Sequence, residues 1–517
     1  MPPSDLFTGA VMNNVAPSVI IAMLLLPGRA LADDNFGNFV QDGTANQGSV
    51  IQTGTGNQAG TATLPVHQTG VFDSLTLTQS GDDNTIGLDG QGLLQFGTAS
   101  TDGTAANSAI IIQNSNGNSI GELVQTTGAV HASTANILTV TQDDRDDNVI
   151  GSIQQVTESN AAGNFADIVQ TGTHNRLDVL SQHSTSNEGI NRVIFNASGD
   201  YNGADHGLST SAGTLAIVAR STGAQASHII QDSDGSGGAN NDAQLFITGH
   251  YNGYGITQLG TDNSVGSIIT GLDNSFASYQ HGEHNQITSG NIAGDDNDMG
   301  LRQFGTANAM AANLQWSSSF NEVGIGEDGD TDTADLTAKG NHGVYGIGQI
   351  GRGHSATLAI NGNSNIVIAI QANDGHLADA GNTLVVSVTG DGNNALVDNT
   401  PQNFSGPALT VAAAAAIPGS LLLAPDASLM VGPGIGDAPL IPGMLVQWGD
   451  GNSMTITVGA ATPSNGNAFA ALQKGNGNIL TASINGNSNQ LAVLQIGNSN
   501  SAASEIDGSG NIVAISQ

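Results

Sequence analysis

From residue 473 onward, apolar and polar positions alternate one by one. Asn478, Leu480, Ala482 and Ile484 share one face of an extended segment, while Thr481 and Ser483 fall on the other. A period of two is the mark of a β-strand with one buried face. The following segments repeat it, with Asn489, Leu491, Val493 and Gln495 on the inner face, then Asn511, Val513, Ile515 and Gln517. Between segments lie short x-Gly-x-x links, where Gly takes positive φ and Asn tolerates the left-handed region. The pattern predicts strand, turn, strand, turn.

Aligned on their glycines, the segments read Gln473-Lys-Gly-Asn-Gly-Asn478, Ile484-Asn-Gly-Asn-Ser-Asn489, Gln495-Ile-Gly-Asn-Ser-Asn500 and Ile506-Asp-Gly-Ser-Gly-Asn511, a step of 11 residues in which Gln and Ile alternate. The same lattice runs through Ile247-Thr-Gly-His-Tyr-Asn252, Gln258-Leu-Gly-Thr-Asp-Asn263, Ile269-Thr-Gly-Leu-Asp-Asn274 and Gln280-His-Gly-Glu-His-Asn285. It slips by one residue into Ile292-Ala-Gly-Asp-Asp-Asn297 and Gln303-Phe-Gly-Thr-Ala-Asn308. Gln349, Ile360 and Gln371 form another register, and Gln41, Gln52, Gln68 and Gln79 open the series. Two half-repeats make one coil. The expected fold class is therefore all-β, a β-solenoid of about 22-residue two-strand coils with loop insertions, on the order of 18–20 coils in all.

Coils stacked about 4.8 Å apart set each Gln over the Gln one repeat away and each Asn over Asn. A buried amide is costly unless paired, and in such a stack each one donates to one neighbour and accepts from the other. The expected ladder positions are Gln41, Asn46, Gln52, Asn57, Gln79, Asn84, Gln258, Asn263, Asn274, Gln280, Asn285, Gln303, Asn308, Gln473, Asn478, Asn489, Gln495, Asn500, Asn511 and Gln517. Charged side chains are not expected there, because stacking would set like charges against each other.

Composition agrees with a repetitive chain. Among 517 residues there are 71 Gly, no Cys, 4% aromatics and 10% charged residues, too few large apolar groups for ordinary globular cores. Nine basic residues against 44 acidic ones give a net charge of −35, which argues against phosphate-backbone binding. At the N-terminus an apolar stretch from Val19 to Leu26, then Ala30-Leu31-Ala32, reads as a signal peptide (1–32) cut after Ala32, although no basic residue precedes it. Solenoid repeats are expected over 33–398, irregular near 181–246, and over 447–517. Between them, 399–446 is apolar, rich in Pro, Gly and Ala, and off-period. Residues 399–446 read either as a lateral loop packed on the solenoid wall or as a sticky patch for self-association, with a short helix at the Ala412–Ala416 run. The outward Ile366, Ile368 and Ile370 read either as the wall beneath that loop or as a contact between two solenoids.

The Q-x-G-x-x-N spacing of Gln52–Asn57, Gln258–Asn263, Gln280–Asn285 and Gln495–Asn500, with Ala59 and Ala502 two residues after the Asn, resembles the curlin repeat of bacterial curli subunits. The resemblance covers most of 35–393 and 447–517. It implies a secreted subunit of extracellular amyloid fibres in biofilm matrix and adhesion, with the matching Gln and Asn as ladder residues of the amyloid core. It also implies self-association or association with related subunits, an outer-membrane export pore and a nucleator. The chain departs from the family in its length, in the Ile that replaces Gln in alternate half-repeats, and in its insertions.

Candidate chemistry adds little. Asp143-Asp144-Arg145-Asp146-Asp147 and Gly326-Glu327-Asp328-Gly329-Asp330 read as solvated turns, with calcium as the sharper alternative. His174, His250, His284 and His354 stand on or beside the turn Asn, where surface residues are expected and transition-metal ligation is the alternative. With no nucleophile–base constellation and so few basic residues, no catalytic residue, metal site or cofactor is assigned, and an enzyme acting on polysaccharide ranks third. The leading expectation is a self-assembling structural protein, and the second a monomeric cell-surface adhesin using its insertions. The ending on Gln517, in a ladder position, reads as an in-register coil open to strand addition.

Overall fold

The computed structural model describes residues 34–98, 106–128, 136–143, 146–158, 161–185, 190–203, 224–233, 241–314, 318–373, 380–397, 400–401, 404–415 and 439–517. The expected signal peptide and residues 416–438 of the insertion lie outside the described residues. The chain is an all-β parallel solenoid of about 15 turns, about 26 residues each. Fewer and longer coils than the 11-residue lattice predicts follow from loops between strands. They enlarge a coil without disturbing its two walls.

The chain comprises two compact units. One holds residues 1–206, 227–251 and 258–262; the other holds 207–226, 252–257 and 263–517. In the first unit, wall A is built from strands such as Phe39–Thr44, Val66–Val71, Ser119–Thr127, Val149–Thr157 and Arg176–Ser184. Wall B is built from Gln47–Thr53, Ser74–Ser80, Asn107–Gln113, Asn136–Asp143 and Asn164–Thr171. Each strand pairs in parallel with its counterpart one coil on, as Gln41 with Gln68 and Gln52 with Gln79. Successive wall A glutamines here stand 27 or 30 residues apart, and 49 apart from Gln182 to Gln231, where the sequence was already irregular.

In the second unit, wall A includes Ser275–Glu283, Asp298–Thr306, Glu322–Asp330, Val344–Arg352 and Ile366–Ala372, and resumes with Met444–Trp448, Ala468–Lys474 and Gln490–Ile496. Wall B includes Thr333–Lys339, Ser355–Asn361, Thr383–Thr389, Ser453–Val458 and Ile479–Asn485. Here the 22-residue coil is met, as from Gln349 to Gln371 and from Gln473 to Gln495. The Gln/Ile alternation also finds its cause. Gln half-repeats form wall A, and Ile half-repeats form wall B, where Ile269, Ile292, Leu314, Ala338, Ile360, Val388, Val458, Ile484 and Ile506 stack in one column.

The interior is narrow, so large side chains on one wall are met by glycine on the other. A Cβ on Gly48 would lie 2.2 Å from Phe39 Cζ, and one on Gly290 would lie 2.6 Å from Phe276 Cε2. A rigid, fully buried ring cannot yield that distance without moving a wall. Gly290→Ala is expected to lower stability by about 1–3 kcal/mol, measured by urea denaturation, whereas a fall below a few tenths would show that the ring has room to shift.

The insertion packs on the outer side of wall A. A helix, Gly406–Ala414, follows Pro and Ala signals in the sequence and buries Ala408 and Ala412. With Phe404, Ala415 and Leu440 it covers Ile366, Ile368, Ile370, Met444, Val446, Ala470, Leu472 and Leu494 in one apolar cluster. Of the two readings for Ile366, Ile368 and Ile370, the wall beneath the loop is the one observed. The lattice resumes in register across the insertion, with Gln371 bonded to Gln447, 76 residues on.

Candidate functional site: the amide ladders

Wall A of the first unit carries a run of side-chain amides in which each Nε2 donates to the Oε1 of the next coil. The bonds run Gln41 to Gln68 at 2.6 Å, Gln68 to Gln95 at 2.8 Å, then to Gln125, Gln155, Gln182, Gln231 and Gln258 at 2.7–2.8 Å. Wall B carries a second run, Gln52 to Gln79, Gln113, Gln142 and Gln170, at 2.8–2.9 Å. Among the described residues of the second unit the wall A column continues in two runs, Gln280 to Gln303 at 2.8 Å, and Gln349 to Gln371, Gln447, Gln473, Gln495 and Gln517 at 2.8–2.9 Å, with Glu327 standing between them. Many of these amides are wholly buried, and within each run the coil spacing sets the Nε2 of one against the Oε1 of the next. That repays the cost of taking them from water.

Asparagines at the two turns run the other way, donating to the preceding coil. Asn84 Nδ2 donates to Asn57 Oδ1 at 3.1 Å, Asn274 to Asn252 at 3.1 Å, and Asn285 to Asn263 at 3.1 Å. Asn308 donates to Asn285 at 3.1 Å, Asn478 to Asn452 at 3.0 Å and Asn511 to Asn489 at 3.1 Å. Asn500 joins through its backbone, its N–H donating to Asn478 Oδ1 at 3.0 Å. Asn46 joins instead as an acceptor, its Oδ1 receiving the N–H of Asp73 at 3.0 Å. A second bond fastens the turn: Asn57 Nδ2 donates to Gly81 O at 2.7 Å and Asn308 Nδ2 to Gly329 O at 2.8 Å. The left-handed residue of the turn is not the Asn but its predecessor, as in Asp83 (φ 59), Asp262 (φ 56), His284 (φ 58) and Ser499 (φ 58). The Asn itself stays out of that region, and Asn84, Asn263 and Asn285 are fully buried. On the outside these left-handed positions stack in turn: His174 on Tyr201 at 4.6 Å and Tyr201 on Tyr251 at 5.1 Å between ring centroids.

Charged residue types enter the ladders, against expectation. Asp73, Glu327, Asp332 and His354 occupy amide positions and are all buried. Glu327 therefore does not lie on a solvated turn; the register Gln303–Glu327–Gln349 carries it into the wall A column. His354 is not a surface residue either, because it takes the place of Asn over Asp332, and the N–H of His354 donates to Asp332 Oδ1 at 2.8 Å. Burial pushes Glu327 well above the usual carboxylate range, and pushes Asp73 and Asp332 each up to about 7. Burial pulls His354 down. Its Nδ1 accepts from the Asn382 N–H at 3.1 Å, so Nε2 carries the proton toward Ile350 O at 3.0 Å. The ring is neutral.

The signal for all four was spacing. Glu327-x-Gly329-x-x-Asp332 and Gln349-x-Gly351-x-x-His354 keep the repeat with the amides exchanged. Among the described residues no group of three or more His, Asp or Glu converges as metal ligands, and no helix is long and apolar enough to cross a membrane. What the arrangement does chemically is bind its own kind: each rim of a coil presents one fixed set of amide donors and acceptors. Compared with models of known protein families the chain matches none, and no curated protein matches its sequence.

Proposed function

We propose that the protein is a secreted, non-enzymatic structural protein that self-assembles into, or joins, curli-like extracellular amyloid fibres serving biofilm matrix and adhesion. The β-solenoid fold is compatible with a structural or adhesin role. The observation that supports the fibre reading most is the series of seven consecutive Gln–Gln amide bonds from Gln41 to Gln258. A rim that satisfies the next coil of its own chain offers the same groups to a coil of another chain. The resemblance to curlin repeats supports the same conclusion and supplies the proposed partners: copies of itself or related subunits, an export pore and a nucleator. Cleavage near Ala32 would release the solenoid to the cell surface.

Assembly brings chains of net charge −35 together, so repulsion opposes it. Salt shortens the Debye length to about 8 Å at physiological strength, and acid removes the charge itself. Purified protein is expected to remain monomeric at low salt and neutral pH, and to form fibres with a thioflavin-T signal and a repeat of about 4.8 Å once salt is added or pH lowered. Sedimentation that finds monomer under every condition would defeat the fibre reading. The second reading, a monomeric cell-surface adhesin, is favoured by the helix Gly406–Ala414, which covers part of wall A and leaves that face unable to join another solenoid sideways.

A further inference from the structure

In one coil both ladder amides are replaced by their own acids. Glu327-Asp-Gly329-Asp-Thr-Asp332 repeats the spacing of Gln303-Phe-Gly305-Thr-Ala-Asn308, with carboxyl groups where the amides stood. The exchange preserves shape but not hydrogen bonding. An amide offers a donor and an acceptor, whereas a carboxylate only accepts.

The direction of the ladder fixes what this coil requires. Gln303 Nε2 donates to Glu327 Oε2 at 2.8 Å, so the incoming bond is made. Elsewhere in the second unit the outgoing bond is an N–H given to the next Oε1, as from Gln349 to Gln371 at 2.9 Å. At this step Glu327 is in register with Gln349, and Glu327 Oε1 and Gln349 Oε1 are both buried without a hydrogen-bond partner. The step lacks one donor, and one proton supplies it. Asp332 repeats the situation. Its Oδ1 accepts from the His354 N–H, while its buried Oδ2 has no partner. At the equivalent place in the preceding coil, the Asn308 NH2 donates both to Asn285 Oδ1 and to Gly329 O.

We propose that Glu327 and Asp332 are held in the folded coil as neutral carboxylic acids whose O–H groups replace the missing amide N–H donors, making this coil a proton-dependent joint in the solenoid. Asp73 provides the contrast. Its two oxygens meet donors, Asn107 Nδ2 at 2.8 Å and the Gly97 N–H at 3.1 Å, so its position is complete as a carboxylate.

The groups around Glu327 do not favour its charge. Its own strand carries Glu322, Asp328 and Asp330; the preceding strand carries Asp298 and Arg302, the following one Tyr345 and Arg352, and wall B opposite carries Asp335 and Lys339. The Arg352 guanidinium is engaged by Asp330 at 2.7 Å, and that of Arg302 lies 4.0 Å from the Phe304 ring centre. His354 is neutral. Among the described residues Glu327 has no ion pair, and burial first, then the charge of Asp335 and that of Asp332 whenever it ionises, raises its affinity for a proton.

The sign of the effect follows. The folded coil binds these protons more tightly than the unfolded chain, so stability is full below the ordinary carboxylate range. It is lost as pH rises, through about 7 for Asp332 and well above the ordinary carboxylate range for Glu327. The proposal rests on the coil alone and stands whether or not the protein forms fibres.

The test compares the thermal midpoints of the full chain and of Glu327→Gln across pH 4 to 8, together with infrared spectra in the protonated-carboxyl region at pH 8. Glu327→Gln is expected to raise the midpoint at pH 8, to leave it unchanged at pH 4, and to remove a protonated-carboxyl band present in the native protein. Asp332→Asn is expected to flatten the profile further. A native protein without the band at pH 8, or a Glu327→Gln profile parallel to the native one, would overturn the proposal. Should Glu327→Gln fail to fold, the band of the native protein decides alone.

Discussion

Replacing Gly199 by alanine is expected to remove about 3–6 kcal/mol of stability, lowering the urea midpoint sharply or abolishing the cooperative transition. Two costs combine. Gly199 has φ 97, and a Cβ there would lie 1.8 Å from Gly249 O and 2.7 Å from Gly249 C. The first cost is backbone strain, because φ 97 lies beyond the left-handed region that Asn or Asp tolerates near φ 57. The second is a collision with backbone one coil away, which cannot be relieved by a rotamer change. The atom being struck is part of a parallel stack, so moving it transmits the displacement: a Cβ on Gly172 would in turn lie 1.9 Å from Gly199 O. Gly392 separates the two costs. Its φ is 65 and nothing lies within 4 Å of its Cβ position, so Gly392→Ala is expected to cost only about 1–2 kcal/mol. Equal losses at the two sites would show that φ alone demands glycine, and that the close stacking adds nothing.

The same column explains how much of the fold was legible. Gly at a fixed place in each turn and Asn three residues later are both required by the 4.8 Å approach of successive turns, so the sequence displays them without ambiguity. Strand faces were legible because a buried face repeats every second residue: Leu480, Ala482 and Ile484 are buried, and Ile479 and Thr481 are exposed as the alternation requires. Coil number was not legible. A solenoid fixes the register within its walls but lets connecting loops vary, so Gln182 and Gln231 can be neighbours in the stack at a separation of 49 residues. The outward Ile366, Ile368 and Ile370 could be read two ways, since what covers them comes from the off-period segment and its register is not written in the repeat. Glu327 and Asp332 were missed for a different reason. Classing residues by charge sends acids to turns, whereas the ladder selects side chains by shape and accepts an acid that keeps its proton.

That last point transfers to a site that nature has left as an amide. Gln155→Glu is expected to cost about 3–5 kcal/mol at pH 8, and to recover most of this loss as pH falls toward 4. Gln155 is fully buried. It accepts from Gln125 Nε2 at 2.7 Å, and its own Nε2 donates to Gln182 Oε1 at 2.8 Å and to Ile137 O at 3.2 Å. A glutamate keeps the first bond and loses the other two, leaving its second oxygen against two acceptors in a fully buried site. Protonation restores a donor toward Gln182. The folded-state pKa is therefore raised, and the loss of stability grows from the ordinary carboxylate value near 4.3 up to that raised value. Gln155→Leu supplies the control. It removes the bonds without adding a titratable group, and its cost, about 2–4 kcal/mol from an orphaned Gln182 acceptor and imperfect packing, is expected to be the same at both pH values. If urea denaturation finds Gln155→Glu as unstable at pH 4 as at pH 8, the ladder does not accept a protonated acid in place of an amide. If the Glu variant recovers and the Leu variant does not, the column tolerates any planar group of the right length that can pass on one hydrogen.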